Sequence, residues 1–284
     1  MVYHQVSIRI AASFRDTLIQ RLTTVATCLG VIEEDDTVTA FFPETADMTS
    51  IRGELSIIQS ILEKSGQKPS LSFVFSIIAD QDWNESWKKG FVPIDVGNRF
   101  TILPPWDQPK KGRINVIIDP AMAFGTGHHE TTRSCLVLME RYAKNNSQNS
   151  FLDLGTGTGI LAIAAAKLGF HRVVAVDTDL LAVEAARKNA VLNQTVGIEI
   201  RECSITSLSE TYDLIAANII SDVLERLAGI IATHLKPGGI IVLSGILDGQ
   251  DDEVLRAMTQ VGLKLVERYP DGKWMSLVLT TTHS

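Results

Sequence analysis

The sequence predicts an α/β protein of two parts, a doubly wound domain with a mainly parallel sheet and, before it, a small α+β domain. Three observations lead to this prediction. From Ile114 onward, strand-like and helix-like segments alternate to the end of the sequence, which is typical of parallel α/β sheets. A glycine-rich turn follows the short apolar segment 151–154. Residues 1–80 read β-α-β-β-α-β, the order of a ferredoxin-like, split βαβ domain.

The elements of residues 1–80 follow from the spacing of apolar side chains. Alternation of apolar and polar residues predicts strands, whereas apolar residues three and four apart predict helices. In order, the predicted elements are a strand over Tyr3–Ile10, a helix over Phe14–Cys28, a weak strand at Val31–Ile32, a strand over Thr37–Phe42, a helix over Met48–Lys64 and a β-rich segment over Leu71–Ala79.

Residues 81–113 differ in composition from both neighbouring segments. Trp83, Trp87 and Trp106 fall here, and prolines interrupt the segment. A free linker would leave this apolar area in water, so we predict a connector that packs against a domain. Residues 114–284 then form the larger α/β domain.

Composition and charge exclude several classes of protein. Lys and Arg number 26 and Asp and Glu 33, for a net charge of −7, so we expect no direct, sequence-specific binding of nucleic acid, although a basic protein is a suitable partner. The 3 cysteines lie far apart, which suits a reducing compartment and neither disulfides nor zinc. No signal peptide is visible, and no apolar run approaches the ~20 residues of a membrane span. We therefore expect a cytoplasmic protein, and nothing demands more than a monomer.

The strongest local signal is a glycine-rich turn between a strand and a helix. After Asp153 the sequence reads G-x-G-x-G, with glycines at Gly155, Gly157 and Gly159, and the helix-like run Leu161–Leu168 follows. Glycines admit backbone conformations and a close ligand approach that a Cβ would block. Free N–H groups at the start of the helix suit an anion. We therefore predict ligand binding at this turn, with Gly155 and Gly157 among the contacts.

A second strand ends in a carboxylate that completes this predicted site. Asp177 closes the apolar segment Val173–Asp177 and comes 22 residues after Gly155. A carboxylate at this place accepts hydrogen bonds from both ribose hydroxyls of an adenosine-type ligand. A nicotinamide dinucleotide requires G-x-G-x-x-G, whereas the third glycine here comes one position early. The spacing favours S-adenosylmethionine, which has a carboxylate and a ribose but no pyrophosphate, and makes a nicotinamide oxidoreductase the weaker alternative.

A second motif, Asp119–Arg133, precedes the helix-like run Ser134–Lys144. We predict that Thr131 or Thr132 caps this helix, which would bring the polar residues before it to a ligand at the top of the sheet. The run His128–Glu130 raises the question of a metal. Adjacent histidines on a loop do not fix metal geometry, and the H-E-x-x-H spacing is absent, so we predict a ligand lid and no metal site.

The segment Tyr212–Ile220 predicts a buried strand that delivers the polar side chain of Asn218. Ligands of open parallel sheets lie beyond the carboxyl ends of the strands, so we expect Asn218 to face the methyl donor and to be the catalytic residue. Capping of the next helix is the alternative role for this side chain. The chain reads Asn-Ile-Ile-Ser here, whereas some amino methyltransferases carry Asn-Pro-Pro-aromatic, which argues against nucleobase and glutamine targets.

Two later features are predicted to be structural. Leu235–Gly239 reads as the end of a helix and a turn before the strand Ile240–Leu247. Trp274, in the last predicted strand Lys273–Thr281, reads as a core residue.

Together these motifs resemble the PrmA family, the bacterial methyltransferases of large-subunit ribosomal protein L11. The resemblance covers essentially the whole sequence and is weakest over residues 1–75. The matching positions are Asp119–Thr132 with its Phe-Gly-Thr-Gly loop, Asp153–Gly159, Asp177, Ala217–Ile219, Leu243–Leu247 and, in the connector, Asp82, Trp83, Trp87, Phe91, Pro93, Pro105 and Trp106.

The resemblance implies a class I, Rossmann-like methyltransferase domain that takes its methyl group from S-adenosylmethionine, and a ferredoxin-like domain that holds protein L11. It implies that a flexible connector presents several lysine ε-amines and the N-terminal α-amine for trimethylation. The implied donor-binding positions are Thr132, Gly155, Asp177 and Asn218. The chain departs from the family at His128 and Glu130, where Thr and Pro are frequent. No acidic residue stands at the usual adenine-contact site, near Cys203 and Ser204, where Ser204 is a partial replacement.

Two other functions share these residues. A class I methyltransferase that acts on another protein or on a small-molecule amine would have the same donor site. The only evidence against this alternative is the presence of the N-terminal domain, residues 1–80, and of the Trp-rich connector. A donor-binding module or ribosome-assembly factor without chemistry is less consistent with an intact glycine turn followed by Asp177 and Asn218.

Overall fold

A computed structural model of the chain describes residues 2–10, 14–15, 18–19, 21–22, 28–34, 37–64, 71–79, 91–119, 129–143, 149–195 and 197–281. The chain forms two compact units, Met1–Val92 and Pro93–Ser284. The division falls inside the segment predicted as a connector, of which residues 81–90 lie outside the described ranges. Residues 93–113 belong to the second unit.

The first unit is an antiparallel sheet with its strands in the order β2-β3-β1-β4. Every pair of neighbouring strands is antiparallel. Strand β3 lies between β2 and β1, and β1 lies between β3 and β4. This is the split βαβ arrangement that the sequence predicts. The elements are β1 (Val2–Arg9), β2 (Gly30–Glu34), β3 (Thr37–Pro43), helix α1 (Met48–Lys64) and β4 (Ser72–Ala79).

The core of the first unit lies on one face of this sheet. Val6 and Ile8, two residues apart on β1, point to the same face and are fully buried. Helix α1 contributes Ile51, Leu55 and Ile58, whose spacing makes one apolar stripe. The helix predicted over residues 14–28 falls on a stretch that the structure describes only in part.

The second unit begins with a small sheet of β5 (Ile94–Val96), β6 (Phe100–Leu103) and β7 (Ile114–Ile117). Buried Phe100 and Ile102 belong to the same apolar core as the large sheet described below. The carboxylate of Glu140 accepts hydrogen bonds from the backbone N–H groups of Asn98 and Arg99, at 3.1 and 3.3 Å. Residues 94–103 are therefore an integral part of the second unit, although they fall inside the segment 81–113 that is predicted to be a connector.

The second unit is organised around a seven-stranded sheet in the order β10-β9-β8-β11-β12-β14-β13. The strands from β10 to β12 run parallel, and β14 is antiparallel to both of its neighbours. The mainly parallel sheet is confirmed. Its strands are β8 (Ser150–Leu154), β9 (Arg172–Asp177), β10 (Glu199–Glu202), β11 (Tyr212–Asn218), β12 (Leu235–Leu247), β13 (Leu263–Asp271) and β14 (Trp274–Thr281).

Helices cover both faces of the large sheet. They are α2 (Glu130–Tyr142), α3 (Ile160–Leu168), α4 (Leu180–Leu192), α5 (Ser221–Thr233) and α6 (Asp251–Gln260). Phe151 packs in a cluster with Leu136 of α2 and Ile163 of α3, whereas its neighbour Leu152 packs in a second cluster with Leu224 of α5. Burial on both faces explains why the strand sequences are continuously apolar rather than alternating. Within the described ranges, no helix has the length and apolar character needed to cross a membrane.

The start of β12 differs from the prediction. Strand β12 begins already at Leu235, opposite Tyr212, and its register then shifts so that Leu214 pairs with Ile240. Residues 236–239 are thus an irregularity within one strand rather than a turn before it. A Cβ at Gly239 would lie 2.9 Å from the carbonyl oxygen of Lys236, so the two glycines of this sequence serve a tight bulge.

Candidate active site at the carboxyl edge of the sheet

The turn after β8 has the backbone conformation that its glycines suggest. Gly155, Gly157 and Gly159 have φ values of 74°, 52° and 82°, in the left-handed region. The N–H of Gly155 donates to the carbonyl oxygen of Val176 at 3.0 Å, which ties the turn to the end of β9. A Cβ at Gly155 would lie 2.6 Å from Cγ2 of Ile219. The turn therefore needs glycine both for its conformation and for the close approach of the neighbouring loop.

The side chain of Asp153 stabilises this turn through hydrogen bonds. Its Oδ2 accepts hydrogen bonds from the hydroxyl of Thr156 at 2.7 Å and from the N–H of Ala162 at 3.0 Å. The side chain is buried, and burial raises the pKa of the carboxyl to about 7, with the negative charge of Asp177 acting in the same direction. Its Oδ1 has no hydrogen-bond partner among the described residues. The site thus holds a buried polar atom that is left unsatisfied.

Asp177 lies at the carboxyl end of β9, next to the same turn. Its Oδ2 accepts a hydrogen bond from the N–H of Gly157, and its Oδ1 one from the N–H of Asp179, both at 3.0 Å. The residue is half-exposed, and a carboxylate oxygen retains a second lone pair for a ligand hydroxyl. The structure therefore brings Gly157 and Asp177 together, as their sequence spacing suggests.

Asn218 ends β11 and faces helix α2. Its side-chain N–H donates to the hydroxyl of Thr132 at 3.2 Å, which leaves the side-chain oxygen of Asn218 available as an acceptor. The residue before helix α5 is Ile220, so Asn218 does not cap that helix. The alternative role considered for Asn218 from the sequence is therefore wrong.

The start of helix α2 also differs from the prediction. The helix begins at Glu130 and is capped by His129, whose Nδ1 accepts from the N–H of Thr131 at 3.4 Å. The predicted caps Thr131 and Thr132 lie inside the first turn, and both are buried. A ring nitrogen of histidine can accept the hydrogen bond that Ser, Thr, Asp or Asn usually accepts at a helix start. From its place in the first turn, Thr132 contacts Asn218 through its hydroxyl.

The prediction that Trp274 is a core residue is wrong. This residue begins β14, is only half-buried, and meets the ring of His129 edge-on, with ring centroids 5.0 Å apart. This contact joins residues that are far apart in sequence, and no local pattern marks it. The loop 120–128, with the Phe-Gly-Thr-Gly motif and His128, lies outside the described residues.

A second glycine shapes the loop after Asn218. Gly245 follows Ser244 on β12 and has a φ of 83°, and a Cβ there would lie 2.6 Å from the carbonyl oxygen of Ile219. Ile219 is therefore in close contact with two glycines, Gly155 and Gly245. The turn after β8, the loop after β11 and strand β12 meet at Ile219 because neither glycine has a side chain.

These residues fit an adenosine-type donor with an amino-acid group. The glycine turn forms a cradle that a Cβ would fill, and Asp177 offers acceptors for ribose hydroxyls. The start of helix α3 has N–H groups suited to a carboxylate. Next to Asp177, the N–H of Cys203 donates to its carbonyl oxygen at 2.9 Å, and Ser204 caps the short 3-10 helix Ile205–Ser207. Ser204 occupies the sequence position at which the family resemblance implies an adenine contact.

The fold and the site define a class I S-adenosylmethionine-dependent methyltransferase. The seven-stranded sheet with antiparallel β14, the glycine turn after β8 and the carboxylate at the end of β9 are the features of that class. The model of the family "Ribosomal protein L11 methyltransferase (PrmA)" matches residues 9–282. The chain belongs to this family, which confirms the resemblance and the expected donor.

Individual relatives agree with this assignment. The chain is 42% identical over 223 residues to the ribosomal protein L11 methyltransferase of Heliobacterium modesticaldum, covering 77% of this chain and 70% of the relative. It is 41% identical over 252 residues to that of Pelobacter propionicus, covering 85% and 81%. The crystal structure of the ribosomal protein L11 methylase from Lactobacillus delbrueckii subsp. bulgaricus superposes with a TM-score of 0.64 at 32% identity, over 67% of this chain and 99% of that chain.

Proposed function

We propose that this chain methylates lysine ε-amines and the N-terminal α-amine of ribosomal protein L11, up to the trimethylated state. The observation that carries the proposal is the hydrogen bond between Asn218 and Thr132, which holds an amide oxygen ready as an acceptor beside the glycine turn. The names of the relatives, which are ribosomal protein L11 methyltransferases, support the choice of substrate. We further propose that the enzyme acts as a monomer, because each proposed site residue comes from one unit of one chain, and that it works in the cytoplasm, whose reducing conditions suit its 3 well-separated cysteines.

The proposed donor site consists of Thr132, Gly155, Gly157, Asp177 and Asn218. S-adenosylmethionine supplies an electrophilic methyl group on its sulfonium. Asp177 would hold the ribose, since both of its carboxylate oxygens are already oriented by backbone N–H groups. Gly155 and Gly157 would allow the donor to approach the backbone. Thr132 would fix the orientation of the Asn218 amide.

The acceptor amine must be neutral to attack a methyl group. A free lysine has a pKa of about 10.4, so forming its neutral amine at pH 7 costs roughly 4–5 kcal/mol, against about 1 kcal/mol for an α-amine. The positive sulfonium and an apolar enclosure both disfavour a second cation, and so favour loss of the proton. The side-chain oxygen of Asn218 can accept an N–H bond from the amine and aim its lone pair at the methyl group. Most of the acceleration then comes from positioning.

The first unit is the proposed site of substrate recognition. It forms a compact unit separate from the proposed donor-site residues, all of which lie in the second. We propose residues 1–80 as the substrate-recognition domain, joined to the methyltransferase domain by the connector that the sequence predicts. Residues 94–103 do not share this role, because they are packed into the core of the second unit.

The test is intact-mass spectrometry of purified large-subunit ribosomal proteins after incubation with the intact chain and S-adenosylmethionine. We expect a ladder of steps of about 14 Da, one for each methyl group, on protein L11 alone. The Asp177→Ala variant serves as the negative control. If protein L11 stays unmodified while donor binding is intact, the substrate assignment is wrong, and another protein or a small-molecule amine becomes the acceptor to seek.

A further inference from the structure

A buried carboxyl group with one free oxygen lies directly under the glycine turn. Asp153 is 1% exposed and comes two residues before Gly155. Its Oδ2 links the turn to the first turn of helix α3 through Thr156 and Ala162, whereas its Oδ1 has no hydrogen-bond partner in the part of the chain that the structure describes. An unpaired charged oxygen in such a place is costly, so the neutral acid is favoured in the free site.

Among the charged and titratable groups around Asp153, Asp177 also favours the neutral acid. From β9, the carboxylate of Asp177 acts on it with a like charge. From α2, Cys135 faces it as a neutral thiol, because burial raises the pKa of Cys135 to about 12. On β11, Asp153 pairs with Ala216, whereas the titratable residues of that strand stand at its other end, and Lys167 lies in the last turn of α3. Burial, with Asp177 acting in the same direction, outweighs the hydrogen bonds from Thr156 and Ala162 and raises the pKa of Asp153 to about 7.

We propose that Asp153 couples donor binding to the release of a proton. Below about pH 7 the carboxyl group is mainly neutral in the free site, and the positive charge of bound S-adenosylmethionine drives its ionisation, with the proton passing to solvent. The donor carries a sulfonium, an ammonium and a carboxylate, and therefore a net positive charge. A cation close to a buried carboxyl favours the charged form.

Ionisation of Asp153 also acts on the turn itself. A carboxylate is a stronger acceptor than a neutral acid, so the bonds from Thr156 and Ala162 to Oδ2 tighten when the proton leaves. Donor binding and the conformation of the glycine turn thereby support each other. The inference rests on the donor site proposed above and adds a proton to its binding equilibrium.

The test is calorimetry on the intact chain. S-adenosylmethionine is titrated at about pH 6.5 in two buffers of different ionisation enthalpy, and the difference in heat gives the number of protons exchanged. We expect release of about half a proton or more, falling towards zero at about pH 9, where Asp153 is already ionised. 5′-Methylthioadenosine, which has neither the sulfonium nor the amino-acid group, is expected to bind without releasing a proton.

Two variants assign the proton to its residue. Asp153→Asn keeps the shape of the side chain and is expected to abolish proton release. The matched control is Asp179→Asn, which changes an exposed carboxylate two residues after Asp177 and leaves an amide able to cap α4; proton release should persist. Equal loss in both variants would overturn the proposal. If Asp153→Asn does not fold, equal proton release by the two ligands in the wild-type chain overturns it.

The same titrations separate this inference from the donor site. Binding of S-adenosylmethionine without any exchange of protons overturns the role of Asp153 and leaves the proposed donor site intact. No binding at all overturns both.

Discussion

The side-chain amide of Asn218 donates a hydrogen bond to the hydroxyl of Thr132, 86 residues earlier in the sequence. The bond joins the carboxyl end of β11 to the first turn of helix α2. Because the amide nitrogen is engaged, the amide oxygen is fixed as an acceptor on the opposite side of the same group. This relationship gives Asn218 one orientation, which its proposed role of aiming the acceptor amine requires.

The first prediction concerns this orientation. Asn218→Ala should lower kcat on the order of 10²-fold, because the acceptor amine loses its aligned position, while the Kd for S-adenosylmethionine changes much less. Thr132→Val, which removes the acceptor hydroxyl, should lower kcat by a smaller factor, because the amide remains but can rotate. Steady-state kinetics and calorimetric donor binding check both variants. A fall in donor affinity with intact turnover would contradict the role given to Asn218.

The second prediction concerns Asp177. Asp177→Ala should weaken the binding of S-adenosylmethionine by about 1.5–3 kcal/mol, the usual contribution of a hydrogen bond to a charged group, which corresponds to roughly 10- to 100-fold in Kd. Isothermal titration gives the value, with Asp179→Asn as the control that should bind normally. An unchanged Kd in Asp177→Ala would remove this carboxylate from the ribose site.

The third prediction uses two glycines with similar backbone conformation and different surroundings. Gly155 and Gly169 have φ values of 74° and 95°. A Cβ at Gly155 would lie 2.6 Å from Ile219, whereas a Cβ at Gly169 meets nothing within 4 Å. Gly169→Ala should therefore cost only the backbone strain, about 1–2 kcal/mol in the free energy of unfolding. Gly155→Ala should cost more and should also weaken donor binding.

Urea unfolding and donor titration of these two variants check the third prediction. If both variants lose the same stability and both bind the donor normally, the contact between the glycine turn and Ile219 has no role in shaping the site.

The sequence predicts those parts of the site that depend on local patterns. The apolar runs before Asp153 and Asp177 and the spaced glycines identify two strand ends and a turn, because burial on both faces leaves few alternatives for such runs. It does not predict His129 as a helix cap, because histidine rarely takes that place. Nor does it predict the contact between His129 and Trp274, which depends on how β14 enters the sheet.

The packing of segment 94–103 is a second feature that the sequence does not predict. The composition of residues 81–113 predicts a connector that packs against a domain, but it does not predict that Phe100 and Ile102 enter the core of the second unit itself. The turn between β5 and β6 is held by Glu140 of α2, a residue more than forty positions away in sequence. The composition of a segment indicates only its local conformational preferences. Where this segment packs depends on long-range hydrogen bonds such as those to Glu140.

The last prediction concerns the pH dependence of stability. The pKa of Asp153 is about 7 in the folded chain, above its ordinary value of 3.8. Between these values the folded chain keeps a proton that the unfolded chain has lost, so this carboxyl destabilises the fold increasingly as pH rises and reaches its full effect above pH 7. Asn does not titrate. The free energy of unfolding of Asp153→Asn, relative to that of the wild type, should therefore increase from about pH 4 to about pH 7 and then level off, by at most about 4 kcal/mol. Urea unfolding of both chains without donor measures this difference. Parallel stability curves across that range would mean that Asp153 titrates normally, and the coupling proposed for donor binding would lose its basis.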